Sequence, residues 1–196
     1  MKIAVDIDDT LNIVERLKCA KAYIERKGLP FHLGNPDSNK YVEIFDWTLP
    51  DVLHFVREEG GVASFTDAAA RKGAKEALTC WREMGHEVII LTARLKEWFS
   101  NPERLSRDWL EKRRIPYDAL VAGVSVEDKG RYCLAHGISI LVDDDIEACL
   151  NAQQLGVRAV LAIGRHNAHR AREIYYGGAN WQQIDAAVKH ILQERI

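Results

Sequence analysis

The chain has 196 residues, with 27 Lys+Arg against 29 Asp+Glu, 47% hydrophobic residues and four Cys. At this length about 70% of the unfolded chain's surface can be buried, so a core needs neither disulfide nor metal, and the ordinary apolar fraction argues against wholesale disorder. A net charge of −2 lacks the positive excess of a general nucleic-acid or membrane-surface binder and leaves small charged substrates open.

In chain order, the first apolar run, Ile3-Ala4-Val5, reads as a strand, and Asp6, Asp8 and Asp9 follow it directly. The stretch from about 11 to 70 then breaks the pattern, because about sixty residues are too many for one crossover helix. It opens with a helix near Asn12 to Lys27 and continues through a Gly-, Pro- and Asn-rich loop, Gly28 to Lys40. Tyr41, Phe45 and Trp47 come next, then a helix near Asp51 to Glu59. We read residues 11–70 as a helical insert in a core made of 1–10 and 71–196. Gly60-Gly61 reads as a hinge of that insert or as a plain turn.

Beyond the insert, apolar residues at helical spacing (Ala70, Ala74, Ala77, Leu78, Trp81) predict a helix that stops at Gly85. Val88 to Leu91 is a strand with Thr92 at its end. Asn101 and Pro102 suit the N-cap and first turn of a helix whose inner face carries Leu105, Trp109 and Leu110. Leu120 to Ala122, Ile138 to Val142 and Val157 to Leu161 are further strands, interleaved with helices at Asp128 to His136, Ile146 to Leu155 and Trp181 to Leu192. Continuous apolar runs alternating with amphipathic helices describe a parallel α/β sheet covered on both faces.

The longest apolar runs are about five residues, against the ~20 that a membrane helix needs. The opening MKIAVDIDD places an acid too early for a signal peptide's apolar stretch. Cys19, Cys80, Cys133 and Cys149 lie far apart in helical segments, as small buried hydrophobes or free thiols do. A reducing cytoplasm fits these features. His166 and His169, flanked by Arg165, Arg170 and Arg172, read as a solvated basic face rather than a metal pair. The mixed charges between Glu103 and Arg114 read as an ordinary exposed helix.

Two acidic clusters stand out, Asp6-Asp8-Asp9 after the first strand and Asp143-Asp144-Asp145 after the fourth. Carboxyl ends of parallel strands share one edge, where ligands bind. Carboxylates about 4 Å apart repel by roughly 4 kcal/mol at an effective dielectric of about 20. A hard divalent cation cancels this repulsion, and all-oxygen ligands point to Mg²⁺. Taken singly these acids are helix caps, and Asp145 before Ile146 suits that role. Thr92 and the following backbone N–H, that of Ala93, can bind a phosphoryl oxygen, and Lys129 can reach the same edge as a counter-charge. Each has an ordinary structural reading alone, as a cap or a solvated lysine. Their order (acid pair, Thr, Lys, acid pair) gives them weight together.

That order resembles the haloacid dehalogenase superfamily of phosphotransferases. Asp6-Ile7-Asp8-Asp9-Thr10 is similar to its D-x-D-x-T motif, Ile90-Leu91-Thr92 to its strand-end Thr, Lys129 to its basic position and Leu141-Val142-Asp143-Asp144 to its terminal acidic motif. The resemblance implies a Rossmann-like three-layer α/β sandwich with a mainly parallel sheet and a small helical C1 cap, placed where the insert lies. It also implies a Mg²⁺-dependent phosphomonoester hydrolase. Asp6 would attack phosphorus to form an aspartyl-phosphate, and Asp8 would act as general acid and then base. Asp6, the Asp8 backbone carbonyl and Asp143 would hold Mg²⁺, with Asp144 acting through water. Thr92 and Lys129 would bind the phosphoryl oxygens.

Within the superfamily the chain looks most like the 5′(3′)-deoxyribonucleotidase-type group, because of the small helical cap, Thr92-Ala93-Arg94, Glu127-Asp128-Lys129 and Asp143-Asp144. Nucleoside monophosphates are then the expected substrates, with sugar phosphates or another small phosphorylated metabolite as the alternative. Phe45, Trp47 and Phe65 are candidates to stack a base, or are the insert's own small core. The expected partner is a small phosphorylated molecule, not a nucleic-acid polymer or a membrane. The oligomeric state is left open, a homodimer included. A receiver-type signalling domain groups similar acids around Mg²⁺, but its Lys comes last, whereas here the second acidic cluster follows Lys129. A non-catalytic binding protein of the same fold is the remaining alternative.

Overall fold

The computed structural model describes residues 1–194. The first half contains β1 (Lys2–Val5), β2 (Asn12–Ile13), α1 (Arg16–Lys27), α2 (Tyr41–Phe45), α3 (Leu49–Glu58), α4 (Ala63–Thr66), β3 (Ala69–Ala70), α5 (Ala74–Glu83) and β4 (Glu87–Thr92). It continues with α6 (Pro102–Arg113), β5 (Ala119–Ala122), α7 (Val126–Ala135), β6 (Ile138–Asp143), α8 (Ile146–Gln154), β7 (Arg158–Ala162), β8 (Tyr176–Gly178) and α9 (Trp181–Gln193). A 3-10 turn at Ala168–Glu173 precedes β8.

Six strands form one parallel sheet in the order β5-β4-β1-β6-β7-β8. Ile3, Val5, Ile90, Ile140, Val142 and Val160 face α5, α6 and α9, where Trp81, Trp109 and Trp181 are buried. Ala4, Ile89, Leu91, Leu141 and Leu161 face α7 and α8, with Cys133 and Cys149 among the buried residues there. Burial on both faces is why these strands read as unbroken apolar runs. The chain thus has the mixed α/β, Rossmann-type fold expected from its sequence. No described helix is long and apolar enough to cross a membrane.

Local signals set the helix ends. Asn101 accepts from the Arg104 N–H at the start of α6, and Asp145 accepts from the Glu147 and Ala148 N–H groups at the start of α8, each satisfying donors that a helix leaves unpaired. Thr48 and Asp51 form a capping box on α3.

Several expectations are corrected. The helix foreseen from Asn12 starts at Arg16, because Asn12 and Ile13 pair antiparallel with Ala70 and Ala69. Ala70 therefore leaves the next helix, which begins after Gly73 at φ +89°, a conformation glycine adopts without penalty. Leu105 leans on the insert rather than on the sheet core. β8 was not foreseen, since two of its three residues are glycine.

Between β2 and β3 the chain folds into α1 to α4 around an apolar cluster of Ile24, Tyr41, Ile44, Phe45, Val52 and Phe55, which Phe99 from the β4–α6 connection joins. Gly60-Gly61 is a tight turn inside this insert. Gly60 has φ +83°, and a Cβ on Gly61 would come within 2.6 Å of the Phe55 ring.

Candidate active site

β4, β1 and β6 lie side by side, so their carboxyl ends deliver Thr92, Asp6 and Asp143 to one edge of the sheet. The Asp6 N–H still donates to the Val142 carbonyl at 3.0 Å, which extends the β1–β6 ladder and fixes the start of the loop. Asp6, Asp143 and Asp144 are buried, and each offers a carboxylate oxygen such that all three lie within 4.8 Å of one another. Lys129 reaches them from the first turn of α7. Its Nζ is 2.8 Å from Asp6 Oδ1 and 2.6 Å from Asp143 Oδ2. At the next residue, Gly130, α7 lies close against α8, where a Cβ would come within 2.9 Å of the Ala152 backbone nitrogen.

Burial pushes Asp6 up to about 7 against the pull of Lys129, and Asp143 and Asp144 up to about 6. Lys129 is shifted upward: burial alone would lower it, and the two aspartates outweigh that. One ammonium does not balance three carboxylates in a desolvated site. The excess negative charge and the all-oxygen donor set suit a hard divalent cation such as Mg²⁺.

Asp8 is held differently. Arg94, 1% exposed, donates from Nε to Oδ2 at 2.8 Å and from Nη2 to Oδ1 at 2.7 Å, and Asn12 Nδ2 donates to Oδ1 at 2.9 Å. Burial would raise Asp8, but Arg94 and Asn12 overcome it and hold the carboxyl below its usual range. Asp9 takes a left-handed conformation at φ +60° and pairs with Arg16 of α1. The Thr10 hydroxyl donates to Asp144 Oδ1 at 3.1 Å.

A cavity of about 200 Å³ is lined by Asp6, Asp8, Thr92, Ala93, Lys129, Asp143 and Asp144, so these candidates come together. Phe45 and Trp47 do not join them. Phe45 is buried against Trp47 at 5.0 Å between ring centroids, and Trp47 packs against Tyr41 and Phe55; they form the insert's own core. The aromatic residues at the cavity are Phe65, Trp98 and Phe99. Beside it, and sharing Asp9, Arg16 and Asn39, opens a larger chamber of about 620 Å³ under α1.

His166 also departs from expectation. It is not on a solvated basic face: its Nε2 lies 2.9 Å from Asp144 Oδ2. Burial would lower its pKa, but the bond and charge of Asp144 raise it. Arg94, Asn12, Asn39, His166 and Asn167 were not singled out as site residues from the sequence. The Thr-Ala-Arg string was the one available signal for Arg94.

No family model matches the chain, and no curated protein matches it. Solved structures do match in fold. A protein of Clostridium acetobutylicum described as a predicted phosphatase superposes with a TM-score of 0.66 at 16% identity, covering 98% of both chains. A haloacid dehalogenase-like family hydrolase of Streptococcus pneumoniae gives 0.65 at 12% identity, over 94% of this chain and 96% of the other. CbbY from Rhodobacter sphaeroides, in complex with xylulose-(1,5)bisphosphate, gives 0.61 at 14% identity, over 92% and 94%. These likenesses span core and insert together. The chain has the fold of the haloacid dehalogenase-like hydrolases, with a buried aspartate cluster at the carboxyl edge of its sheet.

Proposed function

We propose that this chain is a Mg²⁺-dependent phosphomonoester hydrolase that works through an aspartyl-phosphate on Asp6. One observation carries the reading: Asp6, Asp143 and Asp144 converge within 4.8 Å in a buried site, with the Lys129 ammonium between Asp6 and Asp143. Mg²⁺ held by Asp6 and Asp143, with Asp144 behind, would supply the positive charge that lets an anionic phosphoryl group approach a carboxylate.

Lys129 takes Asp6 Oδ1, which leaves Oδ2 to attack. As the Asp6 oxygen–phosphorus bond forms, the bond from phosphorus to the leaving oxygen breaks, and Asp8 gives that oxygen a proton; Asp8 must first take one up, against its pairing with Arg94 in the substrate-free chain. Water then attacks the acyl phosphate while Asp8 takes back a proton, so inorganic phosphate leaves and Asp6 is restored. Thr92, the Ala93 N–H and Lys129 hold the equatorial oxygens, where charge gathers in a loose transition state.

For the substrate we propose a (deoxy)nucleoside monophosphate. The three aromatic side chains at the cavity, Phe65, Trp98 and Phe99, offer apolar faces for a base. A second reading, a sugar phosphate or similar small polar metabolite, is favoured by the adjoining chamber, whose lining, with Val14, Arg16, Lys21, Asn39 and His166, contains no Phe, Tyr or Trp. A Mg²⁺-dependent hydrolysis screen of nucleoside 5′- and 3′-monophosphates beside sugar phosphates separates them, with Asp6→Asn as the blank. Asp6→Asn should fall below about one-thousandth of the parent rate while still unfolding cooperatively in a thermal melt. Retained turnover removes Asp6 as the nucleophile, and a clear sugar-phosphate preference removes the nucleotide reading.

A further inference from the structure

We propose that His166 is a positioning residue of the metal centre: its Nε2–H holds the Asp144 carboxylate in the orientation that a cation shared with Asp6 and Asp143 requires. The inference rests on the metal site proposed above and extends it to the loop after β7, the parallel neighbour of β6. Asp144 is only 4% exposed, and its two oxygens are held from two different elements. Thr10, from the loop after β1, donates to Oδ1 at 3.1 Å. His166, from the loop after β7, lies 2.9 Å from Oδ2. An ionised carboxylate only accepts, so the imidazole proton facing it sits on Nε2.

The loop that carries His166 is built to hold it there. Asn167, 2% exposed, donates from Nδ2 to the Asp144 carbonyl at 2.7 Å and to the Ala162 carbonyl at 3.0 Å. Its Oδ1 accepts from the Gly164 N–H at 2.8 Å, which closes a short loop around one side chain. Gly164 makes room for the imidazole, because a Cβ at that position would come within 2.9 Å of His166 Cε1. The same asparagine therefore anchors both the backbone of Asp144 and the base of the histidine that grips its side chain. Without His166, Oδ2 keeps only a long contact from Asn39 Nδ2 at 3.4 Å, and Thr10 at Oδ1 is left as the one short hold on the carboxylate.

Donors that fix a ligating carboxylate are worth about 10–100-fold in metal affinity. The test is a calorimetric titration of Mg²⁺ into the metal-free full chain and into two variants. His166→Phe keeps an aromatic ring of similar size but no donor, and His166→Gln keeps a donor without the ring. We expect His166→Phe to bind Mg²⁺ about 10–100-fold more weakly and His166→Gln to bind close to the parent, each variant first shown to be folded by a metal-free thermal melt. If His166→Phe does not fold, His166→Ala replaces it beside His166→Gln. Parent affinity in the Phe variant, or a Gln variant as weak as the Phe one, overturns the role. A parent chain that takes up no Mg²⁺ overturns the metal site itself, and that result needs no variant to be recognised.

Discussion

Arg94 and Asp8 form a two-point ion pair in which the guanidinium is 1% and the carboxylate 18% exposed. Such a pair is expensive to break from one side, because the remaining charge stays buried without a partner. Arg94→Ala should therefore cost about 3–5 kcal/mol in urea unfolding. The double variant Asp8→Asn/Arg94→Ala should recover most of the loss, because it removes both charges. A single-variant loss under about 1 kcal/mol would mean that the pair behaves like an exposed one. This pair also marks the boundary of what single residues reveal in sequence. Asp6, Thr92 and Asp143 could be placed because each directly follows an apolar run, and sheet register then brings them together. Arg94 and His166 take their meaning from partners remote in the chain. For His166 the surrounding arginines pointed toward solvent. Phe45 and Trp47 stayed open between two readings for the opposite reason, since aromatic character suits a base stack and a small core equally.

At the level of elements, α7 and α8 meet where Gly130 lies against the backbone of Asn151 and Ala152, at 2.9 Å from a notional Cβ. Neither neighbour is a flexible side chain that could swing aside. Gly130→Ala should force the helices apart and destabilise the fold by about 1–3 kcal/mol. It should also lower turnover more than a distant variant of equal stability cost, because Lys129 is the adjoining residue. A thermal melt beside a rate measurement checks both parts, and an unchanged rate would mean that the helix pair does not set the lysine's position. The strands of the sheet interior were readable, since burial on two faces writes itself as unbroken Val, Ile and Leu. The short elements were not. β2 and β3 have two residues each, and β8 is Tyr-Gly-Gly, so their pairing arises from tertiary placement rather than local propensity.

For the whole molecule, the crowded carboxylates tie stability to pH and to metal. Asp6 at about 7, with Asp143 and Asp144 at about 6, lies above the ordinary 3.8, so the folded metal-free chain binds more protons than the unfolded one. Stability contributed this way is present at low pH and is lost as pH rises from about 4 to 7. His166, also shifted upward, acts in the same direction. Asp8, shifted downward, opposes them, as do Asp51, Glu59, Asp118, Glu173 and His86 outside the site. The metal-free chain should therefore melt higher near pH 5 than near pH 8. Mg²⁺ should raise the melting temperature more at about pH 8, where protons no longer compete for the carboxylates. Scanning calorimetry with and without Mg²⁺ measures both, and a metal-free melting point that climbs between those pH values contradicts the scheme.

The central place of β1 has a consequence for how the chain comes into being. The ribosome delivers this strand before either of its neighbours, β4 at residues 87–92 and β6 at residues 138–143. During synthesis, Asp6 waits on an unpaired strand while the whole insert emerges behind it. Asp144, whose contact with Thr10 spans 134 residues, arrives long after the strand it will meet. Long-range pairings of this kind fold slowly and leave strand edges open in the meantime. A nascent or truncated chain that stops before β6 lacks Asp143 and Asp144, two of the three clustered carboxylates, so Asp6 stands without its acidic partners until β6 and the turn after it have been made.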